Sequence, residues 1–74
     1  MEVGKRYHIE YEEPGGKGTP REAVMDFLGE GAFGTYDFSG RPFFGTVPIS
    51  KKWITYLEEV AADTSIYVNW RRRP

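Results

Sequence analysis

Glycine and proline recur at short intervals along most of this chain, and that punctuation limits the folds open to it. Nine glycines and five prolines stand among 74 residues. Glycine weakens an element interior and proline removes a backbone donor, so the segments between them have to be short. Short strands joined by turns fit this spacing better than long helices. The length accommodates one domain, residues 1–74, with 71–74 as a basic tail. A domain this small buries only about 60% of the surface its unfolded chain exposes. Two tryptophans, five tyrosines and five phenylalanines supply rings large enough to fill a core that aliphatic residues alone would leave thin.

Alternation supports strands. Tyr7, Ile9 and Tyr11 interleave with Arg6, His8, Glu10 and Glu12, the period of a half-buried strand. The stretch "PGGKGTP", residues 14–20, cannot continue it and reads as a surface loop. In "REAVMDFLGEG", an extended chain puts Ala23, Met25 and Phe27 on one face and Val24, Asp26 and Leu28 on the other. Tyr36 and Phe38 alternate with Thr35 and Asp37. Ser39-Gly40-Arg41-Pro42 reads as a turn with a glycine free to take positive φ, and Phe43 to Val47 resumes extension until Pro48.

The segment after Pro48 admits two readings. Trp53, Tyr56, Leu57 and Val60 fit a helical stripe capped by Ser50, a helix near residues 51–61. Lys51 and Lys52 would then sit at the positive end of its dipole. A tight turn over residues 48–52 of 3-10 type, followed by a strand from Trp53 to Val60, is preferred. A last strand in "SIYVNWRR" puts Ile66, Val68 and Trp70 on one face. The expected fold is mainly all-β: about five or six short strands closed into a small SH3-like barrel, because closure removes exposed strand edges.

Gly29, Gly31 and Gly34 in "LGEGAFGTYDF" spell G-x-G-x-x-G. The letters resemble the phosphate loop of protein kinases, and Lys51 follows Gly29 at a spacing like that of the kinase strand lysine. The remaining kinase machinery is missing: there is no H-R-D stretch and no true D-F-G triplet. A dinucleotide fingerprint has to open a helix, whereas Thr35 to Phe38 alternates like a strand. The RNA-recognition strand is a third likeness, but the basic first residue of its motif is absent. The motif therefore reads as a turn between antiparallel strands, with glycines where φ must be positive. Phe33 either packs inward from that turn or stands exposed as a contact.

The other chemistry is sparse. The chain has no cysteine and one histidine, which excludes thiolate zinc sites, cysteine nucleophiles and multi-histidine centres. Glu10, Glu12, Glu13 and Glu22 could bind a cation or serve as paired acids, with His8 on the same polar face; a solvated strand face is the preferred reading. No metal, cofactor or catalytic residue is expected. The net charge of −1 gives no global pull toward DNA or membrane. The charge is uneven, however, and ends in Arg71, Arg72 and Arg73. No apolar run reaches the roughly 20 residues that span a bilayer, so a soluble cytoplasmic protein is expected.

As a whole the chain resembles small SH3-like or Sm-like barrels. The segments that carry the likeness are "GKRYHIEYEE", "PREAVMDFLGE", "GTYDFSGRPFFGTVPISKKWITYLEEV" and "SIYVNW". Similar strings occur in short uncharacterised proteins of actinobacteria and their phages. The resemblance implies the barrel and an intracellular, phage-encoded setting and carries over no functional residue; a host protein is the partner expected in such a setting. The function expected is a non-enzymatic module that binds a protein. Its contacts are expected among Phe33, Arg41, Phe43, Lys51, Lys52, Tyr67, Arg71, Arg72 and Arg73. Two alternatives stay open: a barrel that grips nucleic acid with these basic residues and neighbouring rings, and a homo-oligomer formed through a free strand edge.

Overall fold

The computed structural model describes residues 1–14 and 20–70. Six antiparallel strands form one sheet: β1 (Arg6–Tyr11), β2 (Arg21–Glu30), β3 (Thr35–Ser39), β4 (Thr46–Ser50), β5 (Ile54–Glu59) and β6 (Tyr67–Trp70). Two 3-10 turns, Ala32–Gly34 and Lys51–Trp53, link β2 to β3 and β4 to β5. No α-helix occurs among the described residues. The helical stripe around Trp53 and Tyr56 loses to the strand because β1 offers β5 a full ladder of partners, from Tyr7↔Glu59 to Tyr11↔Ile54.

The ten-residue strand β2 organises the sheet. One of its edges pairs with β1 over Arg21–Asp26. The other is shared in tandem, by β6 over Arg21–Val24 and by β3 over Asp26–Glu30. The pairing path runs β4-β3-β2-β1-β5 and does not close. The sheet is open, and the closed barrel expected from the sequence is not what the hydrogen bonding forms. Its end strands β4 and β5 are consecutive in the chain, joined by the Lys51–Trp53 turn.

The alternation in β1 and β2 sorts residues as expected. Tyr7, Ile9, Tyr11, Ala23, Met25 and Phe27 are buried, together with Phe38 and Ile49. Trp53, Ile54, Ile66 and Val68 pack against this cluster and are themselves half-buried. Phe27 is the hub of the rings. Tyr7, Tyr36 and Phe38 surround it with centroids 6.3, 5.5 and 5.7 Å away, distances at which edge-on or tilted aromatic pairs add about 0.5–1.5 kcal/mol each beyond burial.

Two register shifts shape the sheet. Between Phe27 and Gly29, β2 carries an extra residue relative to β3, and that residue is Leu28. Between Glu10 and Tyr11, β5 carries Thr55 as the extra residue, and its hydroxyl donates to the Glu10 carbonyl at 3.2 Å. Such bulges bend a strand and interrupt its alternation.

The glycine-spaced centre is a hairpin. Ala32–Gly34 makes one 3-10 turn and β3 begins at Thr35, so no helix opens there. Gly34 takes φ of +73° in the turn as expected, whereas Gly29, at +129°, lies within β2 beside the bulge and not in the turn. Gly31 has no positive φ; it is small because a Cβ there would stand 2.5 Å from the Asp37 and Thr35 oxygens. The turn after β3 also differs from the expected one. Residues 41–43 make it, Gly40 has no positive φ, and Phe43 and Phe44 precede the strand instead of opening it.

Candidate functional site

The bulge at Leu28 and the chain ahead of β1 build a groove at one end of the sheet. Gly4 N–H donates to the Phe27 carbonyl at 2.8 Å, and Phe27 N–H donates to the Lys5 carbonyl at 2.9 Å. These bonds lay residues 3–5 along β2. Val3, Gly4, Asp26, Leu28, Ser39, Arg41 and Thr46 then line a cavity of about 540 Å³. Val3 is 68% exposed and Leu28 46%. Beyond Asp26 lies a smaller hollow of about 220 Å³, walled by Lys5, Arg6 and residues 59–62. The Arg6–Asp26 ion pair stands between the two. Arg6 Nε donates to Asp26 Oδ1 at 2.8 Å, and a second guanidinium nitrogen donates to Oδ2 at 3.1 Å. The third nitrogen donates to the Thr64 carbonyl at 2.6 Å. The hydrogen-bonded Asp26 carboxylate holds the guanidinium above its ordinary pKa, against the opposing cost of burial.

The residues expected to make contacts do not converge on one site. Arg41 lines the groove and, among the described residues, carries no ion pair. Phe43, 70% exposed, belongs to the same turn. Phe33, Lys51 and Lys52 lie at the opposite end of the β3–β4 hairpin, where Thr35 pairs with Ser50. Phe33 is fully exposed and left-handed at φ 59°, so it stands outward and does not pack into the core. Lys51 donates to Glu30 Oε1, and its ammonium lies 4.9 Å from the Tyr36 ring centroid. That hydrogen bond lowers the Glu30 pKa and raises that of Lys51. Tyr67 is half-buried in β6, opposite Val24. Arg71, Arg72 and Arg73 lie outside the described residues, as does the loop 15–19.

Tyr67 belongs to the outer face of the sheet, the face away from the ring cluster. Register writes that face as two rows. Glu58, His8, Val24 and Tyr67 form one, across β5, β1, β2 and β6. Tyr56, Glu10 and Glu22 form the other. His8 Nε2 lies 3.1 Å from Glu22 Oε2, and one ligand atom from each of His8, Glu10 and Glu22 falls within 4.8 Å of the others. The solvated face expected for these acids holds only in part. Glu22 is the one charged residue buried among the described residues, at 9% exposure, because β1 and β6 flank it on both sides. Glu13 is drawn away from the group into an ion pair with Arg21 at 2.6 Å. The Tyr56 ring sits 5.6 Å from the imidazole, and its hydroxyl donates to Glu58 at 3.0 Å.

Sequence reasoning named neither Val3 nor Leu28 as a contact, although the alternation of β2 already puts Leu28 on the face opposite Phe27. Among the described residues no helix is long and apolar enough to cross a membrane. No protein-family model, curated protein or solved structure matches the chain.

Proposed function

We propose that this chain is a small SH3-like binding module without catalytic activity, and that it contacts a protein partner through the groove at Val3, Leu28 and Arg41 and the adjoining Phe43. One observation carries the reading. Bare apolar side chains gather there beside a guanidinium that has no ion-pair partner among the described residues. Folding leaves few large apolar groups together on the surface of a small domain unless something covers them. Apolar area with one cation suits a peptide segment that pairs an apolar side chain with a carboxylate. The nucleic-acid alternative finds less support. Lys51, Arg6 and Arg21 are each matched by a carboxylate, which leaves less free positive charge for phosphates than the residue count promised.

A photo-cross-linker at position 43 tests the reading. It is expected to trap a discrete protein in a lysate of the source cells. Arg41→Glu and Leu28→Asp should each abolish the adduct while leaving the fold intact by circular dichroism. An adduct indifferent to both substitutions would count against the groove. Binding of single-stranded nucleic acid that collapses as salt rises would favour the alternative.

A further inference from the structure

We propose that His8, Glu10 and Glu22 form a binding site for a divalent cation of the zinc class on the outer face of the sheet, apart from the groove. The donor set is one imidazole nitrogen and two carboxylate oxygens, a combination that zinc accepts and that hard cations such as calcium do not favour. The imidazole and the burial distinguish it from a run of surface acids. In a tetrahedral site with bonds of about 2.0–2.1 Å, neighbouring donor atoms lie about 3.3 Å apart. His8 Nε2 and Glu22 Oε2 already stand 3.1 Å apart. A Glu10 carboxylate oxygen lies within 4.8 Å of both.

Strand pairing fixes the backbone positions. Glu10 and Glu22 are direct cross-strand partners, and His8 precedes Glu10 by two residues on the same face. The side-chain positions are held as well. Glu22 is buried, the His8 side chain is only 21% exposed, and the Tyr56 ring backs the imidazole. A fourth position toward solvent would be filled by water. Ligation uses Nε2 of neutral His8, the same atom that now faces Glu22, so the ring need not turn.

His8 is the one histidine in the sequence, so its two imidazole nitrogen signals need no sequential assignment, and their couplings to the ring protons tell Nδ1 from Nε2. The test adds zinc ions alone to the untagged, chelator-treated full chain and follows those signals by NMR, with calorimetry for affinity and stoichiometry. The Nε2 signal is expected to shift with one zinc per chain. His8→Ala and Glu22→Gln should each weaken binding at least about tenfold. Glu59→Gln, on the opposite face across from Tyr7, should leave it unchanged. Nitrogen signals unmoved at millimolar zinc would overturn the proposal, as would equal affinity in the His8→Ala chain. If Glu22→Gln fails to fold, the shift in the unsubstituted chain and its loss in His8→Ala still decide the matter.

Discussion

Phe44 occupies the space that a side chain at residue 40 would need. A Cβ built on Gly40 would stand 2.1 Å from Phe44 Cδ2, far inside van der Waals contact. The backbone closes the same unit. Phe43 and Phe44 N–H both donate to the Gly40 carbonyl, at 2.9 and 2.8 Å, and Gly40 N–H reaches the Gly45 carbonyl at 3.3 Å. Gly40 is therefore required by contact and not by dihedral angle. Gly40→Ala is expected to cost about 1–3 kcal/mol, the usual penalty for forcing a group into packed space. Denaturant unfolding measures it. In the Gly40→Ala/Phe44→Ala double variant the Gly40 penalty should shrink, because the ring carbons leave and only the residue-44 Cβ, 2.9 Å away, still stands in the way; full additivity would contradict the account.

Arg6 ties three segments together: β1 through its own backbone, β2 through Asp26 and the 61–65 connection through the Thr64 carbonyl. Lysine cannot reproduce a planar fork that meets two acceptors at once. Arg6→Lys should lose about 1–2 kcal/mol in chemical unfolding, the range for charge-assisted bonds at a partly exposed site. It should also speed amide exchange at Thr64 and its neighbours. Unchanged exchange there would show that the third bond has no anchoring role.

Phe33 holds a left-handed conformation with its ring in solvent. That conformation costs a residue with a Cβ about 1–2 kcal/mol, and asparagine tolerates it better. Phe33→Asn should therefore raise stability by about 0.5–1 kcal/mol in thermal or denaturant melts. A stabilised variant that also loses partner binding would mark the ring as retained for contact. A destabilised one would mean that Phe33 packs against something in solution.

Tyr56 donates its hydroxyl to Glu58, and this bond raises the phenol pKa above its ordinary value, with burial and the charges of Glu58 and Glu10 acting in the same direction. A group whose folded pKa is raised contributes stability that is complete below its unfolded pKa and is lost as pH rises through the folded value. Stability should fall on the alkaline side above the normal tyrosine range of about 10. Ultraviolet difference titration of the chain against Tyr56→Phe isolates this phenol. Glu58→Gln should move its midpoint down, and an unmoved midpoint would exclude the bond as the cause.

Much of the sheet could be read from residue order, and the exceptions share a physical origin. Tyr7, Ile9 and Tyr11 alternate because one face of β1 is buried, and Ala23, Met25 and Phe27 do the same on β2. The strand reading of Trp-Ile-Thr-Tyr prevailed over the helical stripe through partners supplied by β1, which local propensity does not contain. Leu28 and Thr55 were illegible as bulges because an extra residue is defined only against its neighbour strand. Gly40 reads from the sequence as a glycine free to take positive φ, while its constraint in the fold is a ring four positions later. On the outer face, His8 and Glu10 could be placed side by side from their spacing. Glu22 joined them only through the β1–β2 register, which depends on how the connection between the strands returns.

The tandem edge of β2 bears on how the chain can be shortened. Arg21–Val24 rely on β6 for hydrogen bonding on one side, while Asp26–Glu30 rely on β3. A product ending before Tyr67 would bare that edge of the central strand over Arg21–Val24 and unpair the amide and carbonyl of every second residue there. Such a bare strip recruits strands from other molecules. Truncated versions should come out of expression as inclusion bodies or soluble aggregates even though most of the sheet is still encoded.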